Sequence, residues 1–280
     1  MEAWEGLNTL KMKKNILSIG MLTTLLLGGC GDESSFLTNV TPSEGAKVKF
    51  IHAAPDAPGV AIFVNDKKVS GLLTVAPATP GTIAYGGAFP AQDYAVLTAG
   101  AAKVTVTTPT LGNATILSGD VNLESGKYYS VIATGLAPNY APFVVQDNFP
   151  VMSGNKVFFR VINLTANSTD VELTIGGSVA ATGVKPKEGG STFIAYEIPA
   201  YTTGSVTIPV IVKLNGNATA STAGTITNTL ATINYSGVTP GRVYTIVTRG
   251  LLATQDVDAT GKIVVTASKY VAAISSYTNR

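Results

Sequence analysis

Phe50-Ile51-His52-Ala53-Ala54-Pro55-Asp56-Ala57-Pro58-Gly59-Val60-Ala61-Ile62-Phe63-Val64-Asn65-Asp66 reads as a strand, a proline-held turn, a second strand and a tight turn. Pro55 and Pro58 fix φ and remove two backbone donors, so a ladder has to stop there. Asn65-Asp66 suits the positive φ values of a type I′ hairpin. The stretch returns 111 residues later as Val161-Ile162-Asn163-Leu164-Thr165-Ala166-Asn167-Ser168-Thr169-Asp170-Val171-Glu172-Leu173-Thr174-Ile175-Gly176-Gly177. Ile51 then falls on Ile162, Val60 on Val171, Ile62 on Leu173 and Val64 on Ile175. The turn Asn65-Asp66 falls on Gly176-Gly177, and Ile83-Ala84-Tyr85 on Ile194-Ala195-Tyr196.

A later strand also repeats, Gly126-Lys127-Tyr128-Tyr129-Ser130-Val131 as Gly241-Arg242-Val243-Tyr244-Thr245-Ile246, at an offset of 115. The second copy has therefore gained residues, and the Asn/Thr/Ala/Gly-rich stretch Asn215 to Gly224 is where a loop absorbs them. Self-similarity at so long a spacing marks tandem domains rather than a solenoid. Val, Thr, Ala and Gly in short alternating runs favour strands. Further strands are expected at Asp93–Thr98, Lys103–Thr108, Pro142–Gln146 as an edge, Ser205–Leu214 and Ile263–Ala267. Pro209 marks Ser205–Leu214 as an edge strand or a bulge. The predicted fold is all-β: two tandem antiparallel β-sandwiches of immunoglobulin-like type, at 46–149 and 155–273, with 274–280 a tail that packs as a further strand or hangs loose. The short linker restricts how the two move.

Of 280 residues, 19 are Lys or Arg and 17 Asp or Glu, giving a net charge of +2. No stretch after residue 30 gathers basic residues into a patch, which argues against a nucleic-acid partner. The single cysteine, Cys30, forbids an intrachain disulfide.

Lys11, Lys13 and Lys14 precede an apolar run from Ile16 to Leu27, too short to span a bilayer and typical of a signal peptide. The run ends Leu26-Leu27-Gly28-Gly29-Cys30, which resembles the bacterial lipobox. That resemblance implies cleavage after residue 29 and a diacylglycerol on the Cys30 thiol, with Met12 the expected start. The competing reading is an ordinary secretory signal with an incidental cysteine. Residues 30–45 read as the lipidated cysteine and a flexible tether. The acidic Asp32-Glu33 resembles the tag that sends some lipoproteins to the outer face of the outer membrane, or is a solvated linker.

The pattern Val48-x-Phe50-Ile51-His52-Ala53-Ala54-Pro55-Asp56-Ala57-Pro58, then Val60-x-Ile62-x-Val64-Asn65-Asp66, then Gly126-x-x-Tyr129-Ser130-Val131, resembles the bacterial domain-of-unknown-function family 4397 (DUF4397). The second unit departs at its opening, where Asn163, Ala166, Asn167 and Thr169 replace His52, Pro55, Asp56 and Pro58. The resemblance implies a fold and an extracytoplasmic setting and carries no activity.

His52 beside Asp56 is one metal-site or general-base candidate, but zinc needs three or four ligands and His52 is the only histidine. The alternative is that His52 and Asp56 hydrogen-bond within the turn, as Asn163 and Asn167 would. Gly176-Gly177-Ser178-Val179-Ala180 falls short of a nucleophile elbow. Glu124, Glu172, Glu188 and Glu197 could pair for glycoside hydrolysis only if the fold joins them. Tyr129 and Tyr244 match one another and suit sandwich corners. The expectation is a non-enzymatic envelope lipoprotein, anchored in the outer membrane through lipid on Cys30 and exposed at the surface, without metal or cofactor. It would bind an envelope protein or a glycan, as an adhesion or scaffold module. The alternative is a glycan-binding accessory of an outer-membrane polysaccharide uptake system. Recognition is expected on end loops, at Pro55, Asp56, Pro58, Asn215 and Asn217 and at Pro77–Gly81, because loops on a rigid frame carry binding.

Overall fold

Alternation from Ala46 sends Val48 and Phe50 to one side of a strand and Lys49 and Ile51 to the other. In a computed structural model, which describes residues 44–70, 81–198, 206–215 and 228–280, all four are buried. The signal segment, Cys30, Pro77, Asn217 and most of the Asn215–Gly224 loop lie outside the described residues. Glu44–Arg280 forms one compact unit.

The first half comprises β1 (Ala46–His52), β2 (Ala61–Val64), β3 (Lys67–Lys68), β4 (Ala88–Phe89) and β5 (Ala95–Leu97). It continues with β6 (Gly100–Thr108), β7 (Ala114–Leu123), β8 (Tyr128–Leu136) and β9 (Asn139–Gln146). One sheet has the order β4-β1-β8-β9, with β5 also on β1; the facing sheet is β3-β2-β6-β7. Val48, Phe50, Ile62, Val104, Leu123 and Val131 fill the core between them.

The second half repeats this plan with β10 (Lys156–Asn163), β11 (Val171–Ile175), β12 (Ser178–Val184), β13 (Ile194–Glu197) and β14 (Thr207–Leu214). Then come β15 (Thr229–Ser236), β16 (Val243–Arg249), the added hairpin β17 (Thr254–Val257) and β18 (Ile263–Thr266), and β19 (Ala273–Thr278). Its sheets run β13-β10-β16-β19 and β12-β11-β14-β15, around Phe159, Leu173, Val210, Val212 and Ile246. The fold is an all-β sandwich repeated, mostly antiparallel.

One strand pair in each half is parallel, and its register carries the repeat. Lys47 pairs with Tyr128 through His52 with Ala133; Phe158 pairs with Val243 through Asn163 with Thr248. Moving β1 by 111 and β8 by 115 lands on that second register residue for residue. The hairpin turns match as expected: Asn65 and Asp66 have φ of 47° and 63°, Gly176 and Gly177 57° and 87°.

Two details differ from the sequence reading. Ile83 bridges Val60, whereas Ile194 pairs with Phe159 in a ladder, so the match of Ile83-Ala84-Tyr85 to Ile194-Ala195-Tyr196 is a coincidence of period-two patterning. Pro209 lies on an inner strand between β11 and β15. Its carbonyl accepts from Gly176 N at 2.8 Å, so its absent N–H faces the same side, where the β11 ladder ends at Ile175–Val210. Of the two outcomes expected for 274–280, the structure takes the strand: the segment supplies most of β19, which pairs with β16 from Arg249–Ala273 to Tyr244–Thr278.

The two inner sheets pack back to back. Ile51, Ala53, Ile132 and Val145 from the first half meet Ile162, Leu164, Val247 and Tyr277 from the second in a third buried cluster. β1 and β10 are thus covered on both faces, which is why they read as near-continuous apolar runs.

Candidate functional site

Lys49 in β1 and Arg160 in β10 occupy the same place in the two repeats, and each puts a buried cation into the seam. Their parallel-strand neighbours are Ser130 and Thr245. Asp147 and Asn279 follow β9 and β19 at matching places, since Asp147 N donates to Tyr128 O at 2.7 Å and Asn279 N to Val243 O at 2.8 Å. Ser130 Oγ donates to Asp147 Oδ2 at 2.8 Å, and Thr245 Oγ1 to Asn279 Oδ1 at 2.7 Å.

The symmetry breaks at the charges. Arg160 pairs with Asp147, donates through Nε to Thr245 Oγ1 at 2.9 Å and lies over the Phe193 ring. Lys49 donates to the Pro90 carbonyl at 2.9 Å and sits 5.2 Å from the Tyr94 ring centroid. Burial lowers the Lys49 amine to about 8, against the pull of Asp93 and Asp147. Tyr94 OH donates to Asp147 Oδ2 at 2.7 Å and accepts from Asn279 Nδ2. Burial, then the Asp147 carboxylate, raises the Tyr94 phenol far above its usual range.

This network surfaces in a cleft of about 610 Å³ along the seam. Lys47, Asp93 and Tyr128 line it from the first half, Arg242, Asn279 and Arg280 from the second. Lys47 Nζ lies 4.9 Å from the Tyr128 centroid; the Arg280 guanidinium lies 5.9 Å from Tyr128 and 5.7 Å from Phe149. Neither Lys47, Arg242 nor Arg280 forms a salt bridge among the described residues. Aromatic rings position cations without cancelling their charge, so among the described residues the cleft lining holds three cationic side chains and one acidic side chain, Asp93. Sequence reading finds no basic cluster because positions 47, 242 and 280 converge only in space. The available signal was that Arg242 repeats Lys127 at the opening of the late strand.

At the opposite end of β1, His52 is fully buried and closes its turn. Its Nε2 bonds the Pro58 carbonyl at 3.0 Å, and Nδ1 accepts from Ala54 N at 3.4 Å, which fixes the neutral tautomer with its proton on Nε2. Burial, aided by the Arg249 charge, lowers its pKa. Asn163 does the same work: Nδ2 donates to Thr169 O at 2.9 Å, and Oδ1 accepts from Thr165 N at 3.3 Å. Asp56 does not bond His52. Its Oδ2 accepts from Ala137 N at 2.8 Å in the turn between β8 and β9. Asn167 Oδ1 accepts from Leu252 N at 2.7 Å, the equivalent bond. Pro55, Asp56 and Pro58 thus stand together against that turn. Asn215 stands in the second half, its Nδ2 donating to Asp170 Oδ2 at 2.9 Å.

Two of the four candidate acids are bonded to lysines, Glu172 to Lys213 and Glu188 to Lys185, each at 3.7 Å. Tyr129 OH accepts from Glu124 N at 3.2 Å, closing the turn before β8, while Tyr244 stacks on Phe159 instead. Among the described residues no group of three or more His, Cys, Asp or Glu is placed to hold a metal, and no helix is long and apolar enough to cross a membrane.

Residues 46–174 match the family described as Domain of unknown function (DUF4397). Over these residues the chain resembles the DUF4397 family. The DUF4397 match covers the first half and runs through β10 into β11. No curated protein matches the chain. Solved structures that resemble it include a proposed cell adhesion protein of Bacteroides fragilis NCTC 9343, at 11% identity and a TM-score of 0.16, covering 79% of this chain and 96% of that one. A proposed adhesin of Bacteroides ovatus is 9% identical, with a TM-score of 0.18 and coverage of 81% and 94%. Likeness at these TM-scores carries nothing about role.

Proposed function

We propose that this protein is a non-catalytic binding module of the bacterial cell envelope, acting in adhesion or scaffolding. Lipid on Cys30 holds it to the outer membrane, and the tether to residue 45 presents the paired sandwiches outward. The observation that carries the reading is the seam cleft: cations held ready by aromatic rings, on a frame made stiff by a buried ion pair and a shared apolar cluster. Preorganised charge on a rigid support suits recognition. The lipobox resemblance supports the address, and two acyl signals or more make a stable anchor.

Envelope fractions from cells carrying native or Cys30→Ser protein test the address by intact mass. The reading requires an acylated, membrane-bound native form and a released variant; unmodified native protein in the medium contradicts it. Purified protein incubated with envelope polysaccharides and proteins tests the role. Saturable binding with the partner recovered unchanged supports it, and turnover of the partner overturns it.

A further inference from the structure

We infer that the seam cleft binds an acidic oligosaccharide, a short sugar chain bearing carboxylate or sulfate groups. The inference rests on the reading of the chain as a binding module and names its ligand class.

Charge comes first. Lys47, Arg242 and Arg280 face a cleft whose described lining has one acidic side chain, Asp93, and none of the three side chains has an ion-pair partner among the described residues. A ligand that fits must bring negative charge, and guanidinium forks match carboxylate and sulfate oxygens two at a time. Polarity comes next. Among the described residues Val96 is the sole aliphatic one of the lining, so an apolar side chain of a peptide finds little to bury against. Gln92, Asp93 and Asn279 offer donors and acceptors for hydroxyls. The Tyr128 ring already carries Lys47 and Arg280, so it is not free to stack on a nucleobase. Size agrees, since about 610 Å³ falls in the range of small-ligand pockets. The buried Asp147, Tyr94 and Asn279 network fixes the floor from behind.

Calorimetric titration of the full mature chain tests this. The carboxylated probe is tetragalacturonate and the sulfated probe a heparin-derived tetrasaccharide; maltotetraose, pentaglutamate and inorganic phosphate are the comparisons. At least one acidic tetrasaccharide is expected to bind, more weakly as salt rises. Arg242→Gln and Arg280→Gln should each weaken it roughly tenfold with an unchanged melting temperature. Equal binding of maltotetraose, pentaglutamate or phosphate overturns the ligand class. If no acidic sugar binds while the protein still adheres to intact cells, the cleft inference fails and the binding-module reading stands. If adhesion is absent too, both fail.

Discussion

Arg160 and Lys49 stand at the same place in the two repeats, yet only Arg160 is bonded to a carboxylate. The two positions should therefore respond oppositely to loss of charge. Arg160→Met leaves the buried Asp147 without its cation and is expected to destabilise by about 3–5 kcal/mol. Lys49→Met removes a buried charge that desolvation already disfavours and is expected to be neutral or stabilising at pH 7. Chemical denaturation of the full chain measures both. Equal losses from the two variants would show that the seam does not distinguish a paired from an unpaired cation.

His52 gives the fold a pH dependence through a histidine, where the second half has Asn163. Its folded pKa lies below its unfolded value near 6.5 because burial disfavours the imidazolium. The neutral form favours folding, so this contribution is complete above about pH 6.5 and declines as pH falls toward the folded pKa. A single group sets a limit of about 1.4 kcal/mol per pH unit on the slope. His52→Asn installs the residue found at position 163, whose bonds are equivalent. Stability at pH 8 should change little and the slope between pH 6.5 and 5 should shrink. An unchanged slope assigns it to other groups.

The seam has consequences for the halves taken apart. Each has its own core, so fragments 46–150 and 155–280 are each proposed to fold. Each then exposes part of the shared cluster of Ile51, Ile132, Ile162 and Val247, and Arg160 loses Asp147. Both fragments should melt below the full chain, associate on mixing, and leave the full chain with a single transition. Ile132→Ala should lower that transition, at a cost of about 2–5 kcal/mol. Two independent transitions in the full chain, matching those of the fragments, would contradict a coupled seam.

Gly86 sets the other end of the seam. Its φ is +79°, and a Cβ there would lie 2.8 Å from the Arg249 guanidinium, which covers the Tyr85 ring while Tyr277 OH donates to the Gly86 carbonyl at 2.9 Å. Gly86→Ala combines a strained φ with displacement of Arg249 and should destabilise by more than 1 kcal/mol. A melting temperature equal to that of the parent would show that Arg249 moves aside freely.

The duplication was legible because β1 and β10 are buried on both faces, and their apolar runs tolerate little change. The hairpin turns were legible because positive φ selects Asn, Asp and Gly. β7 is not among the expected strands, because Ser118-Gly119-Asp120 puts turn-type residues in its middle; there a Cβ on Gly119 would lie 3.0 Å from Pro142. The cleft was not legible, since Lys47, Arg242 and Arg280 lie far apart in sequence and meet only through back-to-back packing of two sheets. Asp56 was placed in the correct turn with the wrong partner, because Ala137 reaches it from the next hairpin.

The cleft and the end turns are alternative seats of recognition. A crystal structure of the full chain soaked with tetragalacturonate decides between them. The account predicts sugar carboxylates within hydrogen-bond distance of Arg242 and Arg280, with Asp93 on a hydroxyl. Ligand seated instead at Pro55, Asp56 and Pro58 or at Asn215 and Asn217, with the cleft empty, would contradict it.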